Sequence, residues 1–199
     1  MDELTTPGAP AAPGDRTDPR GRPSRLFVGV WPPPEVVAAL SLLERPVLAG
    51  VRWASPAQWH VTLAFLGAVD PSRLEEIPAV LELATARVAG PVVARLGAAT
   101  RRLGRSVLCV PVQGLDGLAG EVRRELGALL SVGDLGSPFC GHLTLARGRG
   151  RRPVPAFLEG SPVEAAWQVH DVALVRSEPG PSGSVYTTLT TATVPHRPR

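Results

Sequence analysis

Trp59-His60-Val61-Thr62-Leu63-Ala64-Phe65-Leu66-Gly67 returns later in the chain as Gly141-His142-Leu143-Thr144-Leu145-Ala146-Arg147. The shared pattern is His, an apolar residue, Thr, Leu, Ala. Each copy is rich in aliphatic and β-branched residues and bounded by glycine, so each is expected to form a short buried strand rather than a helix. On a strand, alternate side chains point to opposite faces, which puts His60 and Thr62 on one face about 6.6 Å apart, with Val61 and Leu63 turned into a core. His142 and Thr144 follow the same rule. If the two strands lie side by side, two imidazoles and two hydroxyls converge on one cavity, a set suited to acid and base chemistry on a small anion. A single histidine on an apolar strand is more often a hydrogen-bonded core residue. Two of only four histidines in near-identical contexts argue for a shared task.

A chain of 199 residues is long enough for one domain with a substantial core. The charged and apolar fractions are those of an ordinary globular protein. There are 22 Pro, 21 Gly and no lysine, so all 21 cationic side chains are arginine. That bias reflects coding habit first, but arginine is also the side chain that grips phosphate with two parallel hydrogen bonds. A net charge of +3 is too small to argue nucleic-acid binding by itself. Cys109 and Cys140 make no metal or redox spacing and are read as buried thiols. No segment has the roughly 18 apolar residues of a membrane span, and a cytoplasmic location is expected.

Residues 1–24 are crowded with Pro, Gly, Ala, Asp and Arg and are read as a disordered tail. A strand is expected over 25–31 and a helix over 35–48, introduced by Pro32, Pro33 and Pro34. Further strands are expected over 51–55 and 59–66. Asp70-Pro71-Ser72 reads as the start of a helix reaching residue 88, with Pro78 imposing a kink or a late start. Strands over 91–98 and 106–112 are joined by a basic hairpin loop, Thr100 to Arg105. A helix covers 115–130, a loop 133–138, a flexible basic segment 148–153 and a short helical piece 154–159. Closing strands are expected over 163–176 and 184–193, followed by a polar tail over 195–199. This order suits an α+β fold in which residues 25–194 form one bilobal domain. Two pseudo-symmetric lobes, each a mainly antiparallel sheet covered by helices, would meet at a groove holding both histidine motifs.

The chain resembles the 2H phosphoesterase superfamily, and within it the RNA 2′,3′-cyclic phosphodiesterases, also called 2′-5′ RNA ligases or LigT-like proteins. The resemblance is carried by the two motifs about 80 residues apart, by Arg25-Leu26-Phe27-Val28-Gly29-Val30-Trp31-Pro32 and Val51-Arg52-Trp53, and by the closing stretches 172–177 and 183–186. It implies hydrolysis of a 2′,3′-cyclic phosphate at an RNA end to a 2′-phosphomonoester, with no metal and no cofactor. His60 and His142 would be the acid and base pair, and Thr62 and Thr144 would hold phosphoryl oxygens. His60 is assigned as acid and His142 as base, an order that the sequence leaves open. The branch often has proline where this chain has Gly141. Arg147 matches the branch's arginine, yet strict alternation turns it away from His142 unless the strand ends or bulges.

Around this pair, Phe27, Trp53 and Phe139 are candidates to stack on an RNA base, and Tyr186 is a candidate to line the groove and touch the RNA. Arg101, Arg102 and Arg105, with Arg149, Arg151 and Arg152, are candidates to neutralise its backbone. His170 and His196 lie outside any repeated context. The expected partner is RNA with a cyclic phosphate end or a small cyclic nucleotide, bound by a monomer without a membrane. Ligation of tRNA halves through 2′-5′ linkages uses the same residues in reverse. A noncatalytic nucleotide-binding or RNA-binding module is the third reading, and the four retained His and Thr side chains speak against it.

Overall fold

The computed structural model describes residues 25–130, 137–180 and 183–195. The amino-terminal tail, residues 133–136 of the expected loop, and the end of the chain with His196 lie outside them. Strands β1 (Arg25–Val30), β2 (Val51–Trp53), β3 (Val61–Gly67), β4 (Val93–Leu96), β5 (Arg101–Leu103), β6 (Val107–Gln113), β7 (His142–Gly148), β8 (Ala166–Gln168), β9 (Asp171–Gly180) and β10 (Gly183–Thr193) alternate, among the described residues, with four α-helices. These are α1 (Pro34–Ser41), α2 (Pro71–Leu74), α3 (Ile77–Ala86) and α4 (Asp116–Leu129). The fold is mixed α/β, and its strands form one antiparallel sheet in the order β10-β9-β1-β3-β7-β6-β4-β8. β2 adds to β7 and β5 to β6.

The strands do not divide between two halves of the chain. The carboxy-terminal β9 pairs with β1, so the last strands join the first. Toward the middle of the sheet, β3 meets β7 through one register pair, Val61 with Leu143. Each of those residues directly follows a motif histidine. Continuing an antiparallel register from that pair sets His60 beside Thr144 and Thr62 beside His142.

Alternation along β1 and β9 separates two apolar layers. Leu26, Val28, Val30, Val172 and Leu174 join the main core, together with Leu81 of α3 and Leu118, Val122 and Leu126 of α4. The spacing of the α4 residues is the apolar stripe that periodicity predicts. Phe27, Ala173 and Val175 point to the other face and form a smaller cluster with Trp31 and Tyr186. That second layer carries the functional site.

Several boundaries differ from the expectations. α1 stops at Ser41 rather than Leu48, because Pro46 has no N–H to donate and holds its predecessor out of the helical region. The Asp70 carboxylate caps α2 by accepting from the Ser72 N–H at 2.8 Å, and Pro78 falls in the first turn of a separate α3. The basic loop at 100–105 contains a strand: β5 pairs with β6 around Gly104, whose φ of +61° is open to glycine. The expected strand 163–176 is two strands, β8 on β4 and β9 on β1. The basic segment 149–151 forms a single tight turn. Cys109 is buried, whereas Cys140 is exposed rather than buried.

Candidate active site

The two motifs are built alike, and neither obeys strict alternation. In β7, Cys109 of β6 faces Thr144 while Leu108 faces Ala146, so Leu145 is an extra residue without a partner in the register. This bulge shifts the phase of the strand. Leu145 and Ala146 are both buried, and Arg147 emerges on the cavity side with His142 and Thr144. Its guanidinium lies 3.4 Å from the Thr144 hydroxyl. The bulge that Arg147 needs is therefore present, two residues before it. β3 does the same: Thr62 faces Gly29 and Ala64 faces Val28, leaving Leu63 as the extra residue. Leu63 and Ala64 are both buried, and Phe65 emerges beside Thr62 on the cavity wall. The motif is thus His-x-Thr-x-x-Arg in one copy and His-x-Thr-x-x-Phe in the other.

Each imidazole is fixed by the backbone two residues earlier. His60 Nδ1 lies 2.8 Å from the Gln58 carbonyl oxygen, and His142 Nδ1 lies 2.8 Å from the Cys140 carbonyl oxygen. A carbonyl only accepts, so Nδ1 carries the proton and Nε2 is the basic nitrogen of each neutral ring. Gln58 is itself tied down. Its side-chain oxygen accepts from the Ser55 N–H at 3.0 Å, and its amide donates to the Ser184 carbonyl at 2.7 Å, linking the His60 anchor to β10.

The surroundings of the two rings differ. Phe27 stacks on His60 with centroids 4.7 Å apart, while Tyr186 and Trp31 meet it edge-on at 4.9 and 5.7 Å. Burial inside this aromatic wall pushes the His60 pKa down to about 4, against the opposing effect of the Gln58 carbonyl. Arg147 and His142 lower it further by charge repulsion. Burial also raises the Cys109 thiol to about 11, which keeps it a protonated core group.

His60, Thr62, His142, Thr144 and Arg147 line one cavity of about 750 Å³. Phe27 and Tyr186 border it; Phe27 is only 3% exposed, and its ring stacks on the His60 imidazole. Phe139 stands to one side, in a cavity of about 230 Å³ that shares Thr62, Phe65 and His142 with the larger one. Trp53 is not among the lining residues; its indole N–H donates to the Pro46 carbonyl at 2.9 Å and its ring packs on the core. Arg101 and Arg105 do not line the cavity either, and Arg102 pairs with Glu159 at 2.9 Å. His170 precedes β9 and is not among the residues lining the cavity.

Sequence reasoning missed Phe65, Gln58, Arg25, Arg52, Ser177 and Ser184. Phe65 is 56% exposed, and its signal was the paired small and apolar residues before it, Leu63-Ala64, matching Leu145-Ala146. The others come together only through long-range pairing and had no local signature. Among the described residues no group of three His, Cys, Asp or Glu is placed to hold a metal ion. No described helix is long and apolar enough to cross a membrane.

Comparison with known proteins points the same way. Residues 30–100 match the family described as LigT like Phosphoesterase. A curated RNA 2′,3′-cyclic phosphodiesterase from Thermus thermophilus is 35% identical over 186 residues, covering 83% of this chain and 87% of that protein. A crystal structure of a protein from the same organism superposes with a TM-score of 0.73 at 32% identity, covering 85% of this chain and 97% of the other. Escherichia coli LigT, solved in complex with NADP+, gives a TM-score of 0.65 at 22% identity over 86% of this chain and 98% of that one, a likeness of fold.

Proposed function

Because the chain belongs to the LigT-like phosphoesterase family, we propose that it opens 2′,3′-cyclic phosphates at RNA ends to 2′-phosphomonoesters, with His60 and His142 as its proton-transfer pair. The observation that carries this reading is the pair of imidazoles on one cavity, each anchored through Nδ1 so that Nε2 is left for chemistry. The cavity would be the groove between two related halves of a single domain spanning 25–194.

Opening the ring requires water to lose a proton as its oxygen bonds to phosphorus, while the bond from phosphorus to O3′ breaks and O3′ gains a proton. The aromatic wall supports the opposite order to the one assigned from sequence. A ring held neutral down to about pH 4 is ready to accept, so His60 is the base that takes the proton from water. His142, entering the step with a proton on Nε2 as well as on Nδ1, gives its Nε2 proton to O3′ on the opposite side of phosphorus and is left as the neutral ring. Thr62, Thr144 and Arg147 hold the equatorial oxygens, where preorganised donors stabilise the charge that spreads over them in the transition state. The set contains a base, an acid and a cation, and the reaction as drawn calls on no metal.

The test is to incubate purified protein with adenosine 2′,3′-cyclic phosphate and a chelator and to identify the product by phosphorus NMR. A 2′-phosphate is expected, and His60→Ala and His142→Ala should each slow turnover by about 10² to 10⁴. Activity abolished by chelator, or a 3′-phosphate product, would contradict the mechanism.

A further inference from the structure

We propose that Arg25, Arg52, Ser177 and Ser184 form a second anion subsite, which holds the phosphodiester on the 5′ side of the nucleotide being processed. The proposal rests on the functional reading above and deepens it, from a cyclic phosphate to a phosphorylated strand end.

Beside the histidine cavity lies a second one of about 600 Å³. The two share Arg25, Arg52, Ser177 and Ser184 in their walls, so they form a continuous trough. Among the described residues, no carboxylate lines either cavity. A trough with three arginines, Arg147 included, and hydroxyls along one side recognises a chain of anions better than a single one.

The sheet sets the spacing. Arg52 on β2 is the cross-strand partner of Arg147 on β7, and directly opposed side chains have Cβ atoms about 4.5–5.5 Å apart. Arg147 faces the reacting phosphate, so Arg52 stands one strand farther along the trough. Its guanidinium passes over the backbone of β10 at Gly183, where a Cβ would fall 1.9 Å from Nη1. Glycine at that position gives the arginine its path to the cavity wall. From the other side, Arg25 on β1 is paired with Ser177 on β9, which is paired with Tyr186 on β10. That row carries positive charge and a hydroxyl from the Tyr186 edge of the histidine site into the second cavity. In a nucleotide whose 2′,3′-cyclic phosphate sits between the histidines, the next anion along the strand is its 5′-phosphate.

The deciding comparison uses two small substrates, a nucleoside 2′,3′-cyclic phosphate with a 5′-phosphate and the same compound with a 5′-hydroxyl. The wild-type protein should favour the 5′-phosphorylated substrate about tenfold in kcat/KM, the size of one charge-assisted contact, and the preference should shrink as salt rises. Arg25→Gln and Arg52→Gln should each lower the ratio of the two kcat/KM values, and the double variant should bring it close to one. Arg25→Lys, which keeps the charge, should retain part of it. Equal kcat/KM for both substrates in the wild type would overturn the subsite while leaving the hydrolytic reading standing, as would a preference that survives in the folded double variant. If neither substrate is opened, the hydrolytic reading falls and the subsite falls with it.

Discussion

His60 and His142 share their backbone anchoring and differ in what surrounds the rings. His60 is walled by Phe27, Tyr186 and Trp31, and these rings exclude the water that would solvate an imidazolium. The sign of the effect on activity follows directly. A base works when deprotonated, so the lowered pKa of about 4 extends activity downward in pH. In a kcat/KM profile on a 2′,3′-cyclic nucleotide, the acid limb should fall near pH 4 rather than near the ordinary imidazole value of ~6.5. Phe27→Leu removes the stacked face, and the limb should then move up toward ~6.5. A limb that already lies near ~6.5 in the wild type would remove His60 from the role of base. At this scale the side chains that meet in the cavity were legible in the sequence, because repetition singled out His60, Thr62, His142 and Thr144. The asymmetry of the pair was not legible, since Phe27, Trp31 and Tyr186 come from opposite ends of the chain and meet His60 only in the folded sheet.

The strands that carry the motifs act through two features that a period-two reading cannot anticipate. The first is the bulge in each, which turns Phe65 and Arg147 back toward the cavity. In hindsight the mark was two consecutive apolar residues, where alternation asks for one inward and one outward. The second feature is close approach at Gly141. A Cβ there would lie 2.2 Å from the Val112 carbonyl oxygen, and the Gly141 carbonyl accepts from the Val112 N–H at 2.8 Å. The residue ahead of His142 is therefore squeezed against β6, where there is no room for a Cβ. Gly141→Ala should cost about 1–3 kcal/mol of stability through this clash, measured by urea unfolding. It should also lower kcat by displacing His142 and the Cys140 carbonyl that orients it. Full activity and unchanged stability in that variant would show that the strand shifts freely and that the glycine is incidental. Of the helices, α4 was the easiest to place, since its buried face shows through residue spacing alone. The split of 163–176 into β8 and β9 was hidden because both pieces are apolar, and only their partners, β4 and β1, tell them apart.

Across the whole molecule, the site depends on one junction. The sheet is continuous from β10 to β8, and the histidine strands touch at Val61 and Leu143. Arg25 and Tyr186, from the first and last strands, share the resulting cavity with Arg52 and Arg147 from between them. The alternation of strands and helices made a mixed α/β fold legible. The return of β9 and β10 to β1 was not, because pairing between strands so far apart in the chain leaves no local trace. The central claim is that His60 and His142 address the same phosphate, and it can be tested without turnover. In nitrogen-15 and proton NMR of the imidazoles, adding a nucleoside 2′-phosphate should shift the Nε2 signals of both histidines along one saturation curve, while each Nδ1 remains the protonated nitrogen of the neutral ring. Movement of one ring alone, or of the two with different apparent Kd values, would contradict the account.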